Sequence, residues 1–179
     1  MSLRRVTILL DRSSSMAGAP IGQAGAFIEW SLVSTLKANR HLYGQVELGL
    51  IAFDCTAEWL VKHCDIDSFV FPPPFEIGSF GGTSLGAALD LLAEDITQRG
   101  DSNSDLIVLI SDGHFVDDVT EVTDRFSEVS KALRVSLGVD ASFRHPLAYF
   151  ERWPAGGRRA AGDVFSVTPQ DVESLLSAV

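Results

Sequence analysis

The sequence predicts a three-layer α/β domain. Its sheet is Rossmann-like, mostly parallel and six-stranded, with one antiparallel edge strand and helices on both faces. Three observations predict it. Short apolar runs that do not alternate with polar residues recur along the chain, as in strands buried on both faces. Between them lie segments whose apolar residues return every 3.6 positions. The two signals alternate, which is the rhythm of a parallel sheet wound on both sides. A length of 179 residues suits one domain over 1–179. With 46% hydrophobic and 21% charged residues, the chain can build a full core without staples.

Val6-Thr7-Ile8-Leu9-Leu10 is the first buried strand. Pro20 suits the first turn of a helix, on which Ile21, Gly25, Ile28, Leu32 and Leu36 share a face, with Ala24 and Phe27 beside them. Val46 to Phe53 is the second strand. Thr56 to Val61 is the third, folding back as a hairpin through Asp54 and Cys55. Phe69 to Phe80 is irregular, and its three consecutive prolines make a stiff, extended connector.

Gly81-Gly82-Thr83-Ser84 opens the next helix, on which Leu85, Ala88, Leu89, Leu92 and Ile96 keep the period until Gly100. Leu106 to Ile110 is the fourth strand and ends in Ser111-Asp112-Gly113. Val119, Val122, Phe126, Val129 and Leu133 mark another helix, with Asp117, Asp118 and Glu121 at its positive end. Val135 to Val139 is the fifth strand, ending at Asp140, and Pro146 to Trp153 a short helix. Val164 to Val167 is the sixth strand. Thr168-Pro169-Gln170-Asp171 caps a last helix that turns Val172, Leu175, Leu176 and Val179 inward. Gly156 to Arg159 is a surface loop.

Charge and cysteine content narrow the function classes. Fourteen Lys and Arg stand against 24 Asp and Glu, a formal net charge of −10. That argues against a nucleic-acid partner, whose phosphates are gripped by excess basic charge. It permits a cation or a basic partner. Cys55 and Cys64 fall in one hairpin and read as free thiols of a reducing compartment. With His63 they show no zinc spacing. No secretory signal and no apolar run of about 18 residues is visible, so the expectation is a cytoplasmic protein off the membrane.

The strand ends carry the chemistry. In doubly wound sheets the ligand crevice lies at the carboxyl ends of the strands. Three groups arrive there: Asp11, Ser13 and Ser15 after the first strand, Thr83 before a helix, and Asp112 after the fourth strand. Side chains two apart on an extended or gently turning segment share a side. Asp11, Ser13 and Ser15 therefore converge while Arg12 and Ser14 point away. Gly81 and Gly82 let the backbone at Thr83 approach closely. All five donors are oxygens, a set suited to magnesium, with manganese or calcium as substitutes.

The pattern D-x-S-x-S over Asp11 to Ser15, then Thr83, then Asp112, resembles the metal-ion-dependent adhesion site of von Willebrand factor A domains. Order and element placement match the family over nearly the whole chain. Ser15 to Ile21, Ile51 to Asp54 and Gly81 to Leu89 are most similar to small bacterial TerY-type proteins of tellurium-resistance and stress gene clusters. The family usually carries glycine where this chain has Ser14, and serine there is strained if the position needs a positive φ.

The resemblance implies a non-enzymatic interaction domain. Its Mg2+, held by Asp11, Ser13, Ser15, Thr83 and Asp112, accepts an Asp or Glu from a partner protein. Two carboxylates roughly neutralise a divalent ion and leave it an appetite for one more anion. The expected partner is a protein of a stress-response module, and the chain itself a monomer or weak oligomer. The competing reading is a metal-dependent phosphohydrolase with Asp11 as nucleophile. Such enzymes resemble D-x-D-x-T, and this chain has Ser13 where the second carboxylate belongs. No clear general acid is present, and His114, the histidine nearest the rim, reads as a solvated loop residue. No phosphate loop occurs.

Overall fold

The structure is a computed structural model that describes residues 3–73, 77–78, 81–100, 105–140, 144–152 and 169–177. β1 (Arg4–Asp11) is followed by a 3-10 turn at Ser14–Met16 and by α1 (Ala19–Ala26). The helix widens to a π-helical stretch at Phe27–Val33 and resumes as α2 (Ser34–Ala38), with a single turn α3 (Arg40–Tyr43) behind it. β2 (Val46–Phe53) and β3 (Ala57–Asp65) form the hairpin. Then come α4 (Leu85–Arg99), β4 (Asp105–Ser111), α5 (Val119–Val129), β5 (Leu133–Gly138), α6 (Arg144–Phe150) and α7 (Pro169–Ser177).

The described strands form one five-stranded sheet in the order β3-β2-β1-β4-β5. Three pairings are parallel and the β2–β3 edge pairing is antiparallel. The sixth predicted strand, Val164 to Val167, lies outside the described residues, as does the loop at Gly156 to Arg159. β1 is central, and its chain exits toward β2 while β4 flanks its other side. The junction of β1 and β4 is thus the point where the winding reverses, the place at which such sheets hold ligands.

The apolar strands are buried on both faces, and alternation along them splits the core in two. Ile8 and Leu10 of β1, Leu48 and Leu50 of β2, and Val108 and Ile110 of β4 meet Ala24, Ile28, Leu32 and Leu36 on one face. Leu9, Ile51, Phe53, Ile107 and Leu109 meet Leu85, Leu89, Leu92, Val122 and Phe126 on the other. The predicted helix faces of α1 to α2 and of α4 are those that pack.

Several boundaries differ from the sequence reading. Leu133 begins β5, pairing with Leu106, and does not extend α5. The chain leaves α5 at Ser130, which is extended and whose hydroxyl accepts the Ala132 N–H. β3 runs to Asp65, past Val61, with register irregularities opposite Leu48 to Ile51. The π-helical stretch follows its own burial pattern, since Phe27 and Ile28 and then Leu32 and Val33 are buried five residues apart. Cys55 and Cys64 are both free. No described helix is long and apolar enough to cross a membrane.

Candidate functional site

Parallel pairing of β1 with β4 decides the geometry. Leu10 lies opposite Ile110, so the next residues, Asp11 and Ser111, end the two strands side by side. Asp11 is fully buried. Its Oδ2 accepts the Ser111 hydroxyl at 2.6 Å and its Oδ1 accepts the Ser13 backbone N–H at 2.8 Å. Ser111 is itself positioned by the Gly113 N–H, which donates to its Oγ at 3.0 Å. Burial pushes the Asp11 carboxyl above its ordinary range. The bonds from Ser111 and Ser13 pull it down, and the nearby charge of Asp112 pushes it up further. Asp112 therefore shares the environment of Asp11 across 101 positions of sequence.

The loop after β1 turns as expected in outcome but by a tighter route. Ser13 is extended, with φ −60° and ψ 168°, and Ser14–Met16 closes a 3-10 turn. The turn brings the Ser13 and Ser15 hydroxyls to 3.1 Å of each other, Ser13 buried and Ser15 exposed. Ser14 has no positive φ, since Asp140 is the single non-glycine residue with one among those described. The strain anticipated for a serine at this position does not arise.

Arg12 points away, as predicted, and is buried. Its guanidinium holds Asp54 at 3.3 Å, Glu58 and the Ile77 carbonyl. It thereby clamps the β1 loop to the β2–β3 turn. Asp54 also accepts the Thr56 N–H at 2.9 Å. Asp54 thus works in the turn.

Thr83 is brought in by the loop before α4. The Gly81 carbonyl accepts both the Ser14 N–H at 3.2 Å and the Ser14 hydroxyl at 3.1 Å. Gly81 has φ +42°, which favours glycine, and a Cβ there would press against the Cys55 sulfur at 3.0 Å. The Thr83 carbonyl accepts the Val116 N–H at 2.9 Å, which ties the loop to the chain after β4. Thr83 is 4% exposed, and its hydroxyl bonds to no described residue.

Asp112 is 5% exposed. It accepts the His114 N–H at 3.1 Å, and the His114 ring nitrogen Nδ1 lies 3.3 Å from its other oxygen. The acids just beyond are spent on helix starts. Asp118 accepts the Thr120 and Glu121 N–H groups as the cap of α5. Asp117, predicted at the same helix, instead accepts the Gly86 N–H at 2.8 Å and the Ser84 hydroxyl at 3.3 Å at the start of α4.

The structure thus brings Asp11, Ser13, Ser15 and Asp112 to one strand edge, with Thr83 on a loop bonded to both flanks. Among the described residues no group of three or more His, Cys, Asp or Glu is placed to hold a metal. Any cation here relies on the three hydroxyls as well as the two acids. The donor set fits a hard cation: it is all oxygen, it is held in place by backbone donors and Ser111, and it contains a buried threonine whose hydroxyl no described residue engages. Ser111 is the residue that sequence reasoning left without a role. Its signal was a lone hydroxyl closing an otherwise apolar buried strand.

No known family model matches the chain, and no curated protein sequence does. Solved structures match the fold. BatB of Bacteroides thetaiotaomicron aligns with a TM-score of 0.55 at 18% identity, over 98% of this chain and 86% of that one. The VWA domain of SpRpn10 aligns with a TM-score of 0.57 at 14% identity, over 83% of this chain and 80% of that one. The manganese-loaded TRAP protein of Plasmodium vivax aligns with a TM-score of 0.60 at 16% identity, over 96% and 71%. At these identities the likeness is one of fold, an α/β fold of von Willebrand factor A type.

Proposed function

We propose that the chain is a non-enzymatic interaction domain that binds a protein partner through a magnesium ion at the β1–β4 edge. Asp11, Ser13, Ser15, Thr83 and Asp112 would hold the ion, directly or through water. When bound, the ion supplies a Lewis-acid position for an Asp or Glu carboxylate of the partner. The observation that carries the reading is the meeting of Asp11 and Asp112 at the winding reversal, with oxygen donors around them and Ser111 fixing one of the two acids. The manganese-loaded state of a structure with the same fold supports it.

Metal and partner would reinforce each other, because two carboxylates and three neutral hydroxyls leave a divalent ion short of negative charge. The resemblance of Ser15 to Ile21, Ile51 to Asp54 and Gly81 to Leu89 to TerY-type proteins supports a role in a bacterial tellurium-resistance or stress-response module, and we place the chain in the cytoplasm as a monomer or weak oligomer. The phosphohydrolase reading is weaker. Ser13 replaces its second carboxylate, and the His114 ring is engaged by Asp112.

The test is titration of a fluorescent aspartate-containing peptide into the chain with MgCl2 and again with EDTA. Binding that needs magnesium and is lost in Asp11→Ala supports the proposal. Equal binding after chelation refutes it. Release of phosphate from a generic ester, abolished by Asp11→Asn, would restore the enzyme reading.

A further inference from the structure

We infer that the cleft beside Asp112 seats a bulky apolar side chain of the same partner segment that offers its carboxylate to the proposed metal. This rests on the reading of the β1–β4 edge as a carboxylate receptor and names what the partner carries next to its acid.

The cleft has a volume of about 520 Å3 and begins at Gly113 and His114, directly after Asp112. Its walls are Phe115, Val116, Val119, Pro146 and Tyr149. Val116 is 73% exposed and Tyr149 42%, so two large apolar side chains face solvent at the rim of a charged site. Isolated exposed apolar residues are ordinary, but a contiguous group lining a concavity marks a binding surface.

The polar groups of the cleft do not ask for a charged occupant. Asp117 and Asp118 are committed to backbone N–H groups and a serine hydroxyl. His114 is turned to Asp112. Beside the Thr120 side chain, what remains for an occupant is mostly apolar wall.

Cleft and donor set are also mechanically one unit. The Val116 N–H is bonded to the Thr83 carbonyl, and the His114 N–H is bonded to Asp112, whose other oxygen lies 3.3 Å from the His114 ring. A segment that places an acid at the edge has the cleft directly beside it. In extended conformation the residue two positions from the acid faces the same surface. The partner chemistry is an exposed, extended segment with an Asp or Glu and, two residues away, a Phe, Leu or similar side chain.

Short capped peptides supply the probes, since the partner is not identified. Asp-Gly-Phe is compared with Asp-Gly-Ala, and Phe-Gly-Asp with Ala-Gly-Asp, each titrated in MgCl2 into the isotope-labelled full chain and followed by NMR. Asn-Gly-Phe and Phe-Gly-Asn are the controls. In one order of the pair, the phenylalanine peptide is expected to bind about tenfold tighter than its alanine counterpart. It should also shift the resonances of Val116, Val119 and Tyr149. Val116→Ser and Tyr149→Ser should each erase that advantage. Both positions are exposed, so the core is left intact, and circular dichroism checks the fold. Equal affinity of phenylalanine and alanine peptides, with aspartate still preferred over asparagine, overturns this inference while the metal reading stands. Equal affinity of aspartate and asparagine peptides overturns the metal reading itself, and a phenylalanine gain that persists in the asparagine peptides overturns the coupling claimed here.

Discussion

His63 should make the fold acid-sensitive. Its ring lies on β3 against the sheet, with Nε2 2.8 Å from the Thr7 hydroxyl and an edge-to-face contact to Trp59 at 5.0 Å between centroids. Burial lowers its pKa from 6.5 to about 4. Asp95, whose carboxylate is 3.9 Å from Nδ1, acts in the opposite sense, as does Glu47 more weakly, while Arg99 and Arg5 add to the lowering. The imidazole is therefore neutral in the folded chain at pH values where it charges in the unfolded one.

Between pH 6.5 and about 4 the unfolded state holds more protons, so stability rises with pH across that window. The contribution is intact above the unfolded value and is lost as pH falls. A tenfold difference in proton affinity between the two states corresponds to about 1.4 kcal/mol, so the loss reaches about 2 kcal/mol by about pH 5 and about 3 kcal/mol near the folded value. The assay is urea unfolding from pH 7.5 to pH 5 on the native chain and on His63→Gln. Carboxylates titrating in both chains cancel in the difference. The native chain should lose about 2 kcal/mol more than the variant. Parallel pH curves would refute the buried, neutral histidine.

Other expectations follow from particular contacts. Ser111→Ala leaves an oxygen of buried Asp11 and the Gly113 N–H without their shared hydroxyl. It should cost about 1–3 kcal/mol in chemical denaturation and weaken Mg2+ binding measured by calorimetry. Gly49→Ala puts a methyl 2.9 Å from both the His63 and Trp59 rings. It should destabilise by about 1–3 kcal/mol and perturb the near-UV circular dichroism of Trp59. Asp118→Ala removes the cap of α5 and should lower thermal stability by about 1 kcal/mol.

The layout of the fold was legible because its strands are unmistakable. Val6 to Leu10 and Leu106 to Ile110 carry too few polar residues to face water on either side, and local sequence is enough to say so. Asp11 and Asp112 were legible for the same reason, since each is the first acid after such a run. What escaped depends on non-local pairing. That Ser111 serves Asp11 follows from the β1–β4 register, which no local pattern reports. Leu133 fits a helix repeat as well as a strand start, and only its pairing with Leu106 decides. The π-helical stretch escaped because Ile28, Leu32 and Leu36 satisfy a 3.6 repeat equally well. Asp117 was assigned to the nearer helix in sequence, whereas packing of α4 beside α5 gave it to the other.

Magnesium titration monitored by thermal unfolding tests the β1–β4 site most directly, on the native chain and on Asp112→Asn. A ligand that binds the folded chain alone stabilises it by about 2.7 kcal/mol at a hundredfold excess over its dissociation constant. The native chain should show a saturable rise of that kind, reversed by EDTA, and Asp112→Asn should show little or none. The same response in both chains, or none in either, would contradict a metal site built on Asp11 and Asp112.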